Sequence, residues 1–430
     1  MTVPLKDVHD FIGIGLGPFN LGLAALTAPV EDLDGIFLER KANVDWHPGM
    51  LIEGTTMQVP FMADLATLAD PTSEFTFLNY LKDQGRIYPF YIRESFFQLR
   101  AEFQDYLRWA AARLPGLHFE RTVTSVDFQD GVYAVTSDGP EGTRVDRARR
   151  IVLGTGTPPW VPPACRDLDA ETVCHASSYL EHRERLRQCD SITVVGSGQS
   201  AAEIYRDLLG GIGEGYELHW VTRSPRFFPL EYTKLTLEMT SPEYVDYFHG
   251  LPAPKRDELN AAHKSLYKGI NAELINEIYD LLYELRFTSG EVKTRLLTNT
   301  TVEKAATDGT SIRLGLRQHE QDRDFELRTE GLVLATGYGY RVPDFLEPVR
   351  DRLRLDATGR LQARRDYSVD TAGGAEIFVQ NAELATHGFT APDLGMAAHR
   401  NSWIIRSMTG REVYPVETRI GNQEFGAPLA

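Results

Sequence analysis

Two segments of this 430-residue chain share one local plan, and that repetition constrains the fold more than any other feature. The apolar run Asp10-Phe-Ile-Gly-Ile14 leads into a glycine turn at 15–18 and a helical pattern over 19–26. The same succession recurs at Ser191-Ile-Thr-Val-Val195 and Gly196-Ser-Gly-Gln-Ser-Ala201. Each is followed by another apolar strand, Gly35-Ile-Phe-Leu-Glu39 and Glu217-Leu-His-Trp-Val221, at the spacing of a βαβ unit. Glycines let the backbone turn tightly and approach a pyrophosphate, which rests against the positive end of the helix. Two such units predict two bound dinucleotides.

The residues that close the second strands differ. In the first unit Glu39 lies 39 − 13 = 26 positions after Gly13, where a carboxylate accepts from a ribose diol and repels a 2′-phosphate. Pro18 stands where the usual pattern has its third glycine. In the second unit Arg223, between Thr222 and Ser224, lies 223 − 196 = 27 positions after Gly196. A guanidinium fork suits a 2′-phosphate, although the same arginine would also sit harmlessly on the surface of a structural unit. The pairing points to FAD in the first unit and NADPH in the second. Gly154-Thr-Gly156 and Ala335-Thr-Gly337 read as the strand ends through which the chain crosses between them.

Charge and composition narrow the partners. Forty-five basic against 61 acidic residues give a net charge of −16, which repels nucleic acid and anionic membranes and favours cations such as amines. Residues 11–30 carry no charge, but four glycines, Pro18 and Asn20 interrupt them, and the flank is acidic, so neither a membrane span nor a signal peptide is expected. Cys165, Cys174 and Cys189 form no even framework and no CxxC pair, which fits a cytoplasmic protein and gives no metal or redox motif.

Further along, residues 46–93 read as irregular and aromatic-rich, either core packing or a lid over a cofactor. A helix is expected over 97–113 and a mostly helical, polar-aromatic stretch over 225–285. The fold class expected is α/β: two Rossmann-like dinucleotide-binding domains with a smaller, mainly helical substrate region. The FAD domain is assigned to 1–188 and 329–430, the NADPH domain to 189–230 and 295–328, and the substrate region to 231–294.

Taken together the motifs resemble the flavin-dependent N-hydroxylating monooxygenases, which hydroxylate the side-chain amine of ornithine or lysine, or a free diamine, in siderophore assembly. The resemblance runs along nearly the whole chain, through Trp46-His-Pro-Gly-Met50, Met57-Gln58, Asp64-Leu-Ala-Thr-Leu-Ala-Asp-Pro-Thr72, Phe77-Leu-Asn-Tyr-Leu81, Ala335-Thr-Gly-Tyr338 and Thr386-His-Gly388, besides both glycine turns. It implies that NADPH reduces FAD, that O2 adds to the flavin as a C4a-hydroperoxide, and that a neutral amine attacks the distal oxygen while NADP⁺ shields the site from water. It implies FAD contacts at Gly13, Gly15, Gly17, Pro18, Glu39, Trp46, His47 and Gln58, and NADPH contacts at Arg100, Gly196, Ser197, Gly198, Gln199, Ser200 and Arg223. It also implies a homo-oligomer, dimer or tetramer, whose partners are a small amine and O2.

One departure concerns the substrate. Ornithine and lysine hydroxylases carry a lysine after the Met-Gln segment that receives the amino-acid carboxylate; here Met57-Gln-Val-Pro-Phe-Met-Ala63-Asp64 has alanine. A buried carboxylate without its cation loses about 2–5 kcal/mol of binding. The expected substrate is therefore a diamine, putrescine or cadaverine, with L-lysine or L-ornithine as the alternative. Glu238, Asp246 and Asp393 are candidates for the far ammonium, and no base is assigned. Other flavin monooxygenases are less compatible, because no F-x-G-x-x-x-H segment lies between the units; a non-catalytic flavoprotein stays open as a remote alternative.

Overall fold

The computed structural model describes residues 8–371 and 375–427. Three sheets organise the described residues. The first is seven-stranded, and its parallel core runs Leu117–His118, Gly35–Leu38, Val8–Ile14, Gly142–Leu153, with Ile377–Val379 also paired to Gly142–Leu153. The strands Thr122–Gln129 and Val132–Gly139 extend it as an antiparallel flap. One face packs on helices Pro18–Thr27, Arg100–Ala111 and Ala397–Thr409 through Phe11, Leu21, Phe103, Tyr106 and Ile404. Val126, Tyr133, Leu346 and Leu361 cover the other.

The second sheet is parallel and five-stranded, in the order Thr294–Leu297, Glu217–Val221, Ser191–Val195, Gly331–Leu334, Val173–His175. A small antiparallel sheet, Thr300–Asp308, Ser311–Gln318 and Arg323–Thr329, packs beside it through Ile312, Leu314 and Leu332. The expected α/β class with two dinucleotide units holds.

Boundaries differ from the sequence assignment. Val173–His175 and Gly331–Leu334 hydrogen-bond within the second sheet, so that sheet extends past the limits expected at 188 and 329. Both are short apolar strands, and only pairing reveals which sheet owns them. The outer limits 1 and 430 lie outside the described residues. The two crossings run side by side: Trp160 N donates to Gly337 O at 2.9 Å and Gly339 N to Pro158 O at 3.1 Å.

Within 46–93, two short helices, Phe77–Asp83 and Ile87–Ile92, interrupt the irregular chain, the first capped by the Thr76 hydroxyl accepting from Asn79 N at 3.2 Å. The helix expected over 97–113 is Arg100–Ala111, because residues 98–99 are extended and pair with the 56–57 segment: Met57 N donates to Gln98 O at 2.9 Å. Residues 225–285 are helical as expected, ending in the long helix Ala272–Ser289. No helix among the described residues is long and apolar enough to cross a membrane.

Candidate active site

The first glycine turn is built by three different demands. A Cβ on Gly13 would fall 2.2 Å from the Phe37 ring, so close strand packing requires glycine there. Gly15 has φ +86°, and its Cβ would lie 2.6 Å from Gly154 O. At Gly17 a Cβ would meet nothing within 4 Å, so this turn faces open space, and no side chain caps the helix Pro18–Thr27 that starts there. Glu39 fastens the turn: Leu16 N donates to its Oε2 at 2.7 Å and Lys41 N to its Oε1 at 2.9 Å. Each oxygen keeps a lone pair for a ribose hydroxyl. Buried Asn20, which the sequence reading did not assign, donates to Gly15 O at 2.7 Å and accepts from Gln380 Nε2 at 2.7 Å.

Trp46 and His47 come from the segment that follows the strand Gly35–Leu38. Trp46 N donates to Gln104 Oε1 at 2.6 Å, and its ring meets Phe103 edge-on. His47 has a left-handed backbone, φ 47°, and its Nδ1 lies 3.4 Å from the Tyr338 hydroxyl. Burial, with help from the Arg100 and Lys41 charges, lowers its pKa to about 4, so the ring is neutral at physiological pH. Gln58 Nε2 is buried with no hydrogen-bond partner among the described residues. An open cradle at Gly17 and an unpaired amide at Gln58 are what a flavin dinucleotide would fill.

In the second unit, Gly196 is needed for packing, since its Cβ would lie 2.2 Å from Ala335 O. Gly198 begins the helix Gln199–Leu209 with no side-chain cap. Ser197 and Ser200 flank it, both partly buried. Arg223 is exposed at the strand end, its guanidinium 5.9 Å from the Trp160 ring centroid. Sequence reasoning missed Lys268, which follows the short helix Lys264–Tyr267 some seventy residues downstream. Its backbone carbonyl lies beside Gly198, and burial together with the Lys264 and Arg223 charges lowers its pKa. Two mutually repelling cations beside an uncapped glycine turn fit a 2′-phosphate. No spacing rule links residue 268 to 198; only folding brings them together.

The two units meet in a cavity of about 400 Å³ lined by Thr56 and Gln58 from the first and Gln199, Glu203 and Asn271 from the second side. Arg100 spans it. Its Nη1 and Nη2 donate to Glu203 Oε2 and Oε1, both at 2.7 Å, and its Nε donates to Thr56 O at 3.2 Å. Three of the five guanidinium donors are thereby used, leaving two for a ligand. Gln199 joins the same network, donating to Glu203 Oε1 at 2.8 Å and accepting from Asn271 N at 2.8 Å.

The substrate candidates separate clearly. Ala63 is buried. Asp393 is partly exposed; Gly395 N donates to its Oδ1 at 2.7 Å, and its charge is felt by Tyr232, whose ring packs on Phe97. Burial raises its pKa, opposed by Gly395 N and the Arg400 charge. Glu238 is held by the 422–423 segment: its oxygens accept from Asn422 Nδ2 at 2.6 Å and Gln423 N at 3.0 Å. Asp246 pairs with Arg365 instead. Both acids are drawn off by chain segments remote in sequence, which local reading cannot anticipate.

Comparisons with known proteins agree with this geometry. The L-lysine 6-monooxygenase/L-ornithine 5-monooxygenase family model matches residues 7–340. A putrescine N-hydroxylase of Shewanella oneidensis is 50% identical over 99% of this chain and 86% of that protein, and an alcaligin biosynthesis enzyme of Bordetella pertussis is 48% identical over 98% and 93%. Among solved structures, FAD-bound DfoA, the desferrioxamine-pathway cadaverine monooxygenase of Erwinia amylovora, superposes with TM-score 0.96 at 52% identity, covering 98% of this chain and 99% of that one. The ornithine N-hydroxylase KtzI of Kutzneria sp. 744, with reduced FAD, NADP⁺ and L-ornithine, gives TM-score 0.87 at 30% identity over 94% and 99%. With two glycine-turn units in the fold and a family match over most of its length, this chain belongs to the flavin-dependent N-hydroxylating monooxygenases of the lysine/ornithine monooxygenase family.

Proposed function

We propose that the protein uses NADPH and O2 to hydroxylate one primary amine of a short aliphatic diamine, putrescine or cadaverine, giving an N-hydroxydiamine for hydroxamate siderophore assembly. The observation that carries the choice of a diamine is the charge arrangement: alanine at 63 leaves an α-carboxylate no cation, while Asp393 offers a carboxylate with no Lys or Arg in ion-pair reach among the described residues. The names of the relatives from Shewanella and Erwinia support the same reading.

FAD, when bound and reduced by NADPH, supplies the oxygen-activating chemistry. The 13–18 turn and Glu39 would hold its pyrophosphate and ribose, and Trp46, His47 and Gln58 its flavin end. Gly196, Ser197, Gly198, Gln199 and Ser200 would hold the NADPH pyrophosphate region, Arg223 with Lys268 the 2′-phosphate, and Arg100 a group in the shared cavity. His47, kept neutral, adds no charge that would repel the substrate. The reacting amine must be unprotonated, since an alkylammonium of pKa about 10.4 has no lone pair to attack with. Desolvation in a closed site lowers that pKa without a dedicated base, so turnover should rise with pH above neutrality.

A hydroxylamine assay alongside NADPH oxidation tests this across putrescine, cadaverine, L-ornithine and L-lysine. A diamine should give the highest kcat/KM. An amino acid ahead of both diamines by tenfold would overturn the diamine reading, and NADPH consumption yielding only hydrogen peroxide with every amine would overturn N-hydroxylation.

We further infer a cytoplasmic homo-oligomer. Three buried, unpaired cysteines suit a reducing compartment. Tyr88, Tyr91, Ile92 and Phe96 form an apolar outcrop between 61% and 75% exposed, a feature that favours burial against another copy. Light scattering of the purified chain should give a dimer or tetramer mass.

A further inference from the structure

The segment after Ile377–Val379 contains a buried ion pair that neither nucleotide cradle uses. Glu383 and Arg400 are 0% and 1% exposed, with Arg400 Nε 2.9 Å from Glu383 Oε1. Arg400 Nη2 donates to Ala391 O at 2.6 Å, and its guanidinium lies 4.8 Å from the ring centroid of Phe19, in the first turn of helix Pro18–Thr27. Arg400 therefore ties the 390–391 backbone to the base of the first glycine turn. Asp393 is two residues beyond Ala391, whose carbonyl Arg400 holds, and is partly exposed, yet Asp393 and Arg400 form no ion pair.

Holding a loop does not require such a pair. Desolvating two charges costs much of what their attraction returns, and apolar residues of the same volume usually stabilise as well or better. What the pair does supply is a charge balance. Arg400 without Glu383 would put an uncompensated cation beside Asp393, cancel its charge and repel an incoming ammonium. With Glu383 present, the three groups together carry a net charge of −1, located on the one member that is partly exposed.

We propose that Glu383 is a specificity-determining positioning residue: by neutralising Arg400 it keeps Asp393 available for the distal ammonium of a diamine. The inference rests on the reading of Asp393 given above, and the experiment separates the two. Steady-state kcat/KM is measured for cadaverine and putrescine against n-pentylamine, which lacks the second ammonium, with the bound-FAD spectrum as a check on the flavin site. E383Q should lower the preference for diamine over monoamine at least tenfold, through KM for the diamine. E383Q/R400Q, which removes both charges, should restore the preference, and this neutral double variant carries the test if E383Q alone does not fold. Equal loss with diamine and monoamine in E383Q, or a double variant no more selective than E383Q, would overturn the proposal. D393N should abolish the preference; if it does not, the Asp393 reading itself fails.

Discussion

His47 combines a left-handed backbone with a ring that burial and two neighbouring cations keep uncharged. Its resonances should show no titration between pH 8 and 5 in histidine-selective NMR. Because its folded-state pKa of about 4 lies below the unfolded value of 6.5, the unfolded chain binds more protons between those limits, and the stability the neutral ring contributes is lost as pH falls through that window. H47N, which tolerates the left-handed conformation, should therefore flatten the pH dependence of the urea midpoint between pH 6.5 and 4. Lys268 makes a second residue-scale case. If it shares a 2′-phosphate with Arg223, K268A should raise KM for NADPH at least tenfold and change KM for NADH little, since one charge-assisted contact is worth about 1.5–3 kcal/mol. Arg223 was legible from its place at a strand end. Lys268 was not, because nothing in a linear pattern ties a lysine at the end of a short helix to a distant glycine turn.

Glycines that look alike in the sequence do different work within one element. G15A forces a Cβ into a left-handed backbone and against Gly154 O, so it should cost about 1–3 kcal/mol and lower the thermal midpoint. Gly17 has an extended backbone, φ −86°, and empty space where a Cβ would go. G17A should fold with an unchanged midpoint in the absence of cofactor but bind FAD more weakly, as read by quenching of flavin fluorescence. The turn motif announced both residues; only the surrounding backbone says which one packing requires and which one it leaves open. Elements long enough to show their period were equally legible, among them the strands Val8–Ile14 and Ser191–Val195 and the helix Pro18–Thr27. The short helices Phe77–Asp83 and Ile87–Ile92 were not, because six or seven residues span too few turns for a stripe to emerge.

At the scale of the molecule, the two nucleotide units are joined by the Arg100–Glu203 pair, with side-chain exposures of 12% and 4%. Removing one member leaves a buried charge unpaired, at a cost of about 3–5 kcal/mol. E203A should therefore lower the urea midpoint and separate the unfolding of the two units into two phases, visible when flavin release and circular dichroism are followed together. Buried Glu203 sits within the Gly196-Ser-Gly-Gln-Ser-Ala-Ala-Glu203 motif, so its position was visible; its partner, from a helix 103 residues earlier, was not.

The sequence by itself determined the two dinucleotide units, their acid and arginine markers, and the missing lysine at position 63, since each depends on residue type at short, fixed spacing. Only the tertiary structure decided which sheet owns Val173–His175 and Gly331–Leu334, that Glu238 and Asp246 are occupied elsewhere, and that Asp393 has no ion-pair partner among the described residues. The physical reason is common to all three. Strand ownership and charge compensation are pairings between groups far apart along the chain, and a carboxylate's role is set by which cations folding places around it.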